Sequence, residues 1–477
     1  GAAAFVMASF IGVTYFEIVK HAFLPAVISY IALFYISHLE ALKLGLKGLE
    51  EKDLPKLKET FIAGLHFLIP IFILIYLLVY MRLTASYSIF YATIALVIVN
   101  FINKLIKSPK ETSFSANLKD WYKETIIGLE KGAFNMIAVG VAIATAGVIV
   151  GAVGSTGLST NLILVIESIA GDNVIILIAL TILLCLLLGM GLPTTANYVV
   201  VASLMSMVLV DVGNASGYIF PIIAVHLFVF YFGLMADVTP PVGLASYAAA
   251  GISGGDPLKT GIQAIWYSLR TGVLPIVFLF NHELLLIGVD NFWHAILVIV
   301  TSLIGILVFS AATQAWFFKK LRWFEIIIFL IISLSFLSPE YVLNKFHPKF
   351  NYLELEKSKN YIFETDKDVH IKITRQTEYG DKYKLFVINK NTYEENYTLE
   401  KYGLNIAKSN DNIIVDTLDW KGNAKKNGIQ MDDIISEIKI ENFDRPNKDI
   451  IYIFSFIALI IFGFLNYKEY RFSDKID

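Results

Sequence analysis

The sequence predicts an all-α polytopic membrane protein with an inverted-repeat, ion-transporter-like fold, a re-entrant hairpin, a proline-broken helix and a small extracytoplasmic α+β domain. Three observations predict it. The 477 residues are 56% hydrophobic and only 17% charged, with a mean hydropathy of +0.63, far from the balance of soluble domains. Two apolar segments carry proline and glycine where a membrane helix should run unbroken. A charged stretch at 340–448, rich in Asn, Lys and Tyr, alternates in short segments. The net charge of −2 gives no reason to expect nucleic acid as a partner.

Segments long enough for a bilayer of roughly 30 Å lie at 22–42, 61–81, 84–106, 126–152, 173–190, 195–212, 217–236, 258–281, 292–316, 324–338 and 449–466. Residues 1–19 and 241–254 read as half-helices, and 324–338 is short. Lysines orient the chain. Lys43, Lys47, Lys52, Lys56 and Lys58 follow the first span, and Lys104, Lys107, Lys110, Lys119 and Lys123 follow two spans later. Both groups therefore lie on one side, which the positive-inside rule makes cytoplasmic. Lys319, Lys320, Arg322, Lys468 and Arg471 mark further cytoplasmic ends, so 340–448 is outside. The expected organisation is the end of a first transport repeat (1–60), a second repeat with scaffold helices (61–316), a transmembrane helix (317–339), an outer domain (340–448), and a last helix with its tail (449–477). The chain opens Gly1-Ala2-Ala3-Ala4-Phe5 without a signal peptide, and its natural start is expected upstream. The lone Cys185 sits in an apolar run and reads as a small buried hydrophobe.

The first interruption is Asp237-Val-Thr-Pro-Pro-Val-Gly243. Pro240 and Pro241 donate no N–H and clash with the preceding turn, so the helix must unwind at a depth where an unpaired carbonyl costs several kcal/mol. Such a break persists where protein, water, an ion or a substrate satisfies the freed groups. The second is Gly189-Met-Gly-Leu-Pro-Thr-Thr-Ala-Asn-Tyr198, best explained by a re-entrant hairpin that turns at Gly191 to Thr195. Loose carbonyls at the turn suit Na⁺, and the next helix N-terminus suits a substrate carboxylate. Between Gly132 and Gly255 there is no Lys or Arg, while Glu167, Asp172, Asp211 and Asp237 remain. Asp237, beside the break, is a candidate for neutralising the ion. A gap-free offset of 242 residues matches Ala3 with Ala245, Ala8 with Ala250, Gly12 with Gly254 and Ala22 with Ala264, the weak symmetry expected of repeat transporters. His226 reads as a buried, hydrogen-bonded histidine, and Arg270 as a snorkelling residue or ion-pair member.

The two long motifs, 189–198 and 237–250, resemble the large permease subunit of tripartite ATP-independent periplasmic (TRAP) transporters, over about residues 1–315. The resemblance is closest to the fused type served by a TAXI-type solute-binding protein. It implies an inner-membrane, Na⁺-driven elevator importer of small organic acids, loaded by a periplasmic binding protein, with Na⁺ as coupling ion, no other cofactor and no enzymatic activity. It implies a site formed by Gly191, Pro193, Thr194, Thr195 and Asn197 with Thr239, Pro240, Pro241 and Gly243, which Asp237 joins from the residue reading. Na⁺ is placed at Gly191, Thr194 and Thr239. In the outer domain, Tyr402-Gly-Leu-Asn-Ile and Gly422-Asn-Ala-Lys-Lys-Asn-Gly-Ile resemble a PDZ fold, whose groove binds a chain end by strand addition. The competing readings are a PDZ-type membrane regulator and an intramembrane protease. The latter needs His-Glu-x-x-His, and His282-Glu283 is followed by Leu286 where the second histidine belongs.

Overall fold

The computed structural model describes residues 2–48, 50, 54–81, 83–107, 113–156, 165, 169–170, 173–189, 194–215, 218–240, 243–358, 361–363, 368–377, 380–389, 398–409, 412–442 and 444–473. The helices in order are α1 (Ala2–Ile11), α2 (Tyr15–Lys43), α3 (Leu57–Gly64), α4 (Leu68–Ile75), α5 (Ala85–Lys107), α6 (Phe114–Ser155), α7 (Val174–Gly189) and α8 (Thr194–Ala215). They continue with α9 (Ile222–Ala236), α10 (Leu244–Ser253), α11 (Pro257–Phe280), α12 (Phe292–Thr313), α13 (Trp323–Leu337), α14 (Pro339–Phe346) and α15 (Ile450–Ser473). Among the described residues six helices are long and apolar enough to cross a membrane: α2, α5, α8, α11, α12 and α15. The chain is a multi-pass membrane protein with a small sheet domain.

Several boundaries differ from expectation for local reasons. The half-helix expected over 1–19 stops at Gly12, whose φ of +79° is left-handed, and α2 starts afresh at Thr14. There a capping box closes: the Thr14 hydroxyl accepts from Glu17 N, and the Glu17 carboxylate accepts from Thr14 N. The segment expected at 61–81 passes through a 3-10 turn at Leu65–Phe67 and a π turn at Tyr76–Tyr80. The span expected at 126–152 is the later part of α6, whose 42 residues extend about 63 Å. The short segment at 324–338 is α13, from which α14 bends away by 100° at Ser338-Pro339.

The offset of 242 residues reappears in the geometry. α1 and α10 are both ten residues long, and both end at a left-handed glycine, Gly12 at +79° and Gly254 at +72°. Each is followed by a capped helix start. Thr14 accepts from the third N–H of α2 at 3.3 Å, and Asp256 accepts from that of α11 at 2.8 Å. The same offset carries each helix start and each cap onto its counterpart.

The main core is apolar and continuous, joining α1, α2, α7, α8, α9, α11 and α12 around buried Tyr198, Phe228 and Phe278. Cys185 is fully buried in it. Arg270 pairs with no carboxylate among the described residues; its Nε donates to Ser29 O at 3.2 Å, tying α11 to α2.

The last helix is fastened at both ends. Lys319 and Arg322 reach Glu469, with Arg322 at 3.0 Å, and Phe318 N donates to Asn466 Oδ1 at 3.1 Å. At the opposite end Lys448 pairs with Glu283, which His294 also approaches at 3.2 Å, and Arg445 pairs with Glu340 at 2.7 Å. The lysine-marked ends of α13 and α15 thus meet on one side, as the positive-inside assignment requires.

Between α14 and α15 lies a six-stranded sheet: β1 (Phe350–Leu353), β2 (Val369–Thr377), β3 (Gly380–Ile388), β4 (Leu404–Ser409), β5 (Asn412–Leu418) and β6 (Ile434–Glu441). The order is β3-β2-β6-β5-β4, with β1 beside the end of β6, and every pairing is antiparallel. Alternation sends Val369, Ile371 and Ile373 into the domain core with Val415, Ile435 and Ile438. His370 and Lys372 then face the other way. Asp433, 2% exposed, is held by Arg375 through two bonds of 2.6 and 2.7 Å and by Gln430 N.

Two of these contacts give measurable expectations. A side chain at Gly305 would strike Leu337 and Phe336, 2.8–3.0 Å from a first carbon, where Ser333 also binds the Gly305 carbonyl. Gly305→Val should cost about 1–3 kcal/mol, lowering the thermal midpoint of the detergent-purified chain. Gly48→Ala, with open space around it, should leave that midpoint unchanged. Asp433→Ala leaves Arg375 without its acid and should destabilise the sheet domain by about 3 kcal/mol, read as faster proteolysis within 340–448.

Candidate functional site

The two interruptions meet. α7 and α8 are the arms of a hairpin, and both pack on α9, which ends at Ala236 where the proline break begins. The hydroxyl of Thr194, first residue of α8, donates to Asp237 Oδ2 across the gap between the two elements. This single side-chain bond joins the hairpin turn to the break. Asp237 Oδ1 makes no hydrogen bond among the described residues.

The break keeps its own backbone satisfied. Val238 N and Thr239 N both donate to Met235 O, at 3.0 and 3.1 Å, and Gly243 N donates to Thr239 O at 3.0 Å. Ala245 N reaches back to Asp237 O at 3.1 Å, the Ser246 hydroxyl to Val238 O at 2.7 Å, and Thr239 Oγ1 to Ala236 O at 3.5 Å. Gly243 makes the turn possible, with a φ of +35°. The freed carbonyls of residues 235–239 are therefore satisfied by the protein itself, while the loose carbonyls expected at the hairpin turn fall largely outside the described residues. The polar groups left over are side chains. Pro240 packs against α11 at Gly261, where an added carbon would lie 2.7 Å from the ring.

Asn197 is 1% exposed, in the first turn of α8 between α7 and α9. Its Nδ2 donates to Cys185 O at 3.1 Å, and its Oδ1 is buried without a hydrogen-bond partner in the described structure. Space for this amide comes from two glycines. A methyl at Gly189 would collide with the amide and with Ala236, and one at Gly233 would lie 3.4 Å from Nδ2. A buried acceptor without a donor costs stability where it stands.

At the next residue, Tyr198 OH and His226 Nδ1 lie 2.8 Å apart, both buried, so His226 is the hydrogen-bonded core histidine that its sequence context predicts. Of the sequence-selected residues the structure joins Thr194 to Asp237 directly; Asn197 lies one turn along α8 from Thr194, bonded to Cys185 O, Thr239 bonds Ala236 O, and Thr195 is half-buried. Pro240 and Gly243 shape the turn. Gly191, Pro193 and Pro241 lie outside the described residues, so the proposed Na⁺ donor at Gly191 does as well. Sequence reasoning missed Gly233 and Gly261, and it placed Gly189 and Ser246 in its two motifs without giving either a role. The glycines could have been found from their spacing to Asn197 only with the helix pairing known. Among the described residues no group of three or more His, Cys, Asp or Glu is placed to hold a metal.

A protein-family model described as "Tripartite ATP-independent periplasmic transporter, DctM component" matches residues 1–292. The chain belongs to this TRAP permease family. A second model, "Domain of unknown function (DUF3394)", matches residues 295–471, from the start of α12 through the sheet domain and α15. No curated protein compared with the chain matches it. A TRAP permease works with a periplasmic solute-binding protein on a small substrate, and its family is one of transporters rather than enzymes. The hairpin turn and the broken helix both fall inside the DctM match, and the sheet domain falls inside the DUF3394 match.

In this permease the fit of Gly189 against α9 is the tightest packing constraint next to the buried amide. Gly189→Ala should part α7 from α9 at a cost of about 1–3 kcal/mol, lowering the thermal midpoint. Gly251→Ala, with nothing near it, should not.

Proposed function

We propose that the chain is the permease of a Na⁺-coupled TRAP importer of small carboxylates in the bacterial inner membrane, loaded by a TAXI-type solute-binding protein and working by an elevator motion. The observation that carries this reading is the Thr194–Asp237 bond beside the unpartnered Asn197 Oδ1. Na⁺ is a hard cation that takes oxygen ligands, and the free oxygens here are Asn197 Oδ1 and Asp237 Oδ1, with the hydroxyls of Thr194, Thr195 and Thr239 nearby. Pro240 and Gly243 shape the turn that carries Asp237 and Thr239, and in this proposal Gly191, Pro193 and Pro241 complete the site. No fixed cation from Gly132 to Gly255 competes with the ion. The N-terminus of α8 then favours the substrate carboxylate.

The matched caps of α1–α2 and α10–α11 support an inverted repeat, with α1 in the role that α10 plays after the proline break. The sheet domain keeps a PDZ-like order of loop, strand pair, single-turn helix and strand over 402–441. A peptide-binding role finds no support there. The N–H groups of Tyr402, Gly403 and Leu404, which a carboxylate loop would present, donate to Thr398, Glu400 and Leu399 O at 2.9–3.2 Å.

The test is uptake of labelled organic acids by proteoliposomes containing the permease and its binding protein. Uptake should need both an inward Na⁺ gradient and the binding protein; uptake that survives the loss of either removes the coupling proposed. Asn197→Ala tests the site directly. The change also removes the bond from Nδ2 to Cys185 O, so it should cost about 1–3 kcal/mol of stability, read from the thermal midpoint, while Na⁺-dependent uptake per folded protein falls at least tenfold. Asn197→Ala uptake equal to the parent's would reduce the residue to a packing role.

A further inference from the structure

The alternation that sends Val369, Ile371 and Ile373 into the sheet domain's core turns a second, polar face toward the membrane helices. Register places His370 opposite Val387 on β3 and Lys439 on β6, and Lys439 opposite Tyr352 on β1. This face roofs a cleft of about 800 Å³. Its floor is the loop before α9, with Tyr218 and Ile219, and the end of α11, with Phe280 and His282. α14 and the residues after it close one side with Tyr341, Lys345 and Lys349. The cleft lies on the outer side of the membrane, remote from the hairpin and the break.

Most of its charges are already matched. Glu340 is held by Arg445 at 2.7 Å and Lys439 by Glu437 at 2.6 Å, and Asp368 has its own partner. Lys345 and Lys349 are different. Their ammonium groups stand over the rings of Tyr341 and Phe350, at 5.4 and 5.5 Å, and neither pairs with a carboxylate among the described residues. Glu441 is the remaining acid of the lining. Lys349 lies close enough to His282 and His370 to hold both imidazoles below their usual range, where burial has already pushed them. Asp368 pulls His370 the other way, as Glu283 and the bond to Leu279 O do for His282, without reversing the shift. Two unpaired ammonium groups beside neutral imidazoles and aromatic rings make a site short of negative charge and rich in apolar surface.

We infer that this cleft between the permease and its outer sheet domain binds an amphipathic anion, its phosphate or carboxylate head on Lys345 and Lys349 and its apolar body against Phe280, Tyr341 and Phe350. The place is the membrane–water boundary, so the same chemistry comes from two sources: the head of an anionic phospholipid, or a soluble carboxylate with an apolar tail. The sheet domain supplies the roof and the membrane helices the floor, so a bound anion joins the two parts of the chain. The inference is independent of the transport site and stands or falls without it.

The test uses the full chain purified in detergent, with phosphatidylglycerol, phosphatidylcholine or hexanoate added and bound molecules counted by native mass spectrometry. The parent should retain phosphatidylglycerol over phosphatidylcholine, or bind hexanoate. Lys345→Gln with Lys349→Gln should cut that retention about thirtyfold, from roughly 1 kcal/mol per lysine at a membrane surface. Lys56→Gln with Lys58→Gln, on the cytoplasmic side, should not. Displacement of phosphatidylglycerol by hexanoate assigns the site to soluble carboxylates, and retention against hexanoate assigns it to the lipid; each outcome supports anion recognition. Equal retention by parent and the Lys345/Lys349 variant overturns the proposal, and so does the absence of any bound anion in the parent. Both lysines are exposed, so the variant is expected to fold, which its elution volume and thermal midpoint check.

Discussion

A broken helix in an apolar surrounding must satisfy its own backbone, and residues 235–246 show how this chain does it. Each carbonyl from Met235 to Thr239 accepts a bond from within the turn or from the helix that follows. With the backbone closed on itself, the polarity available for chemistry passes to side chains, and these sit on two elements that touch. Asp237 is fixed by Thr194, and Thr194 starts the helix that carries Asn197. The tight glycine contacts of Gly189, Gly233 and Gly261 follow from the same constraint, since turns and amides near a crossing leave no room for larger residues.

Much of this was legible in the sequence. Adjacent prolines in an apolar run announce a break, and a gap-free offset of 242 residues pairs two helix starts and caps that match residue for residue. Other features were not. The stop at Gly12 hides because apolar residues continue on both sides; only the Thr-x-x-Glu pattern at Thr14 to Glu17 signals it. The first part of α6 is polar, so hydropathy is silent where helix propensity acts. The partner of Arg270 is a carbonyl 241 residues away, beyond any local pattern. Which groups satisfy the break was not legible either: Ser246 and Ala245 take two of its carbonyls because α10 turns back on the break.

The outer domain repeats the lesson in strands. The period of two that builds its core also builds a polar second face, and Val-His-Ile-Lys-Ile at 369–373 encodes both at once. Neither face by itself reveals that the second one overlooks membrane helices.

The bonds at the two ends of α15 have a mechanical consequence. Glu469 binds Lys319 and Arg322 at one end, and Glu283 and Glu340 bind Lys448 and Arg445 at the other. The two chain segments that carry the sheet domain are thus laced to each other at both ends, and neither can slide along the other without parting an ion pair.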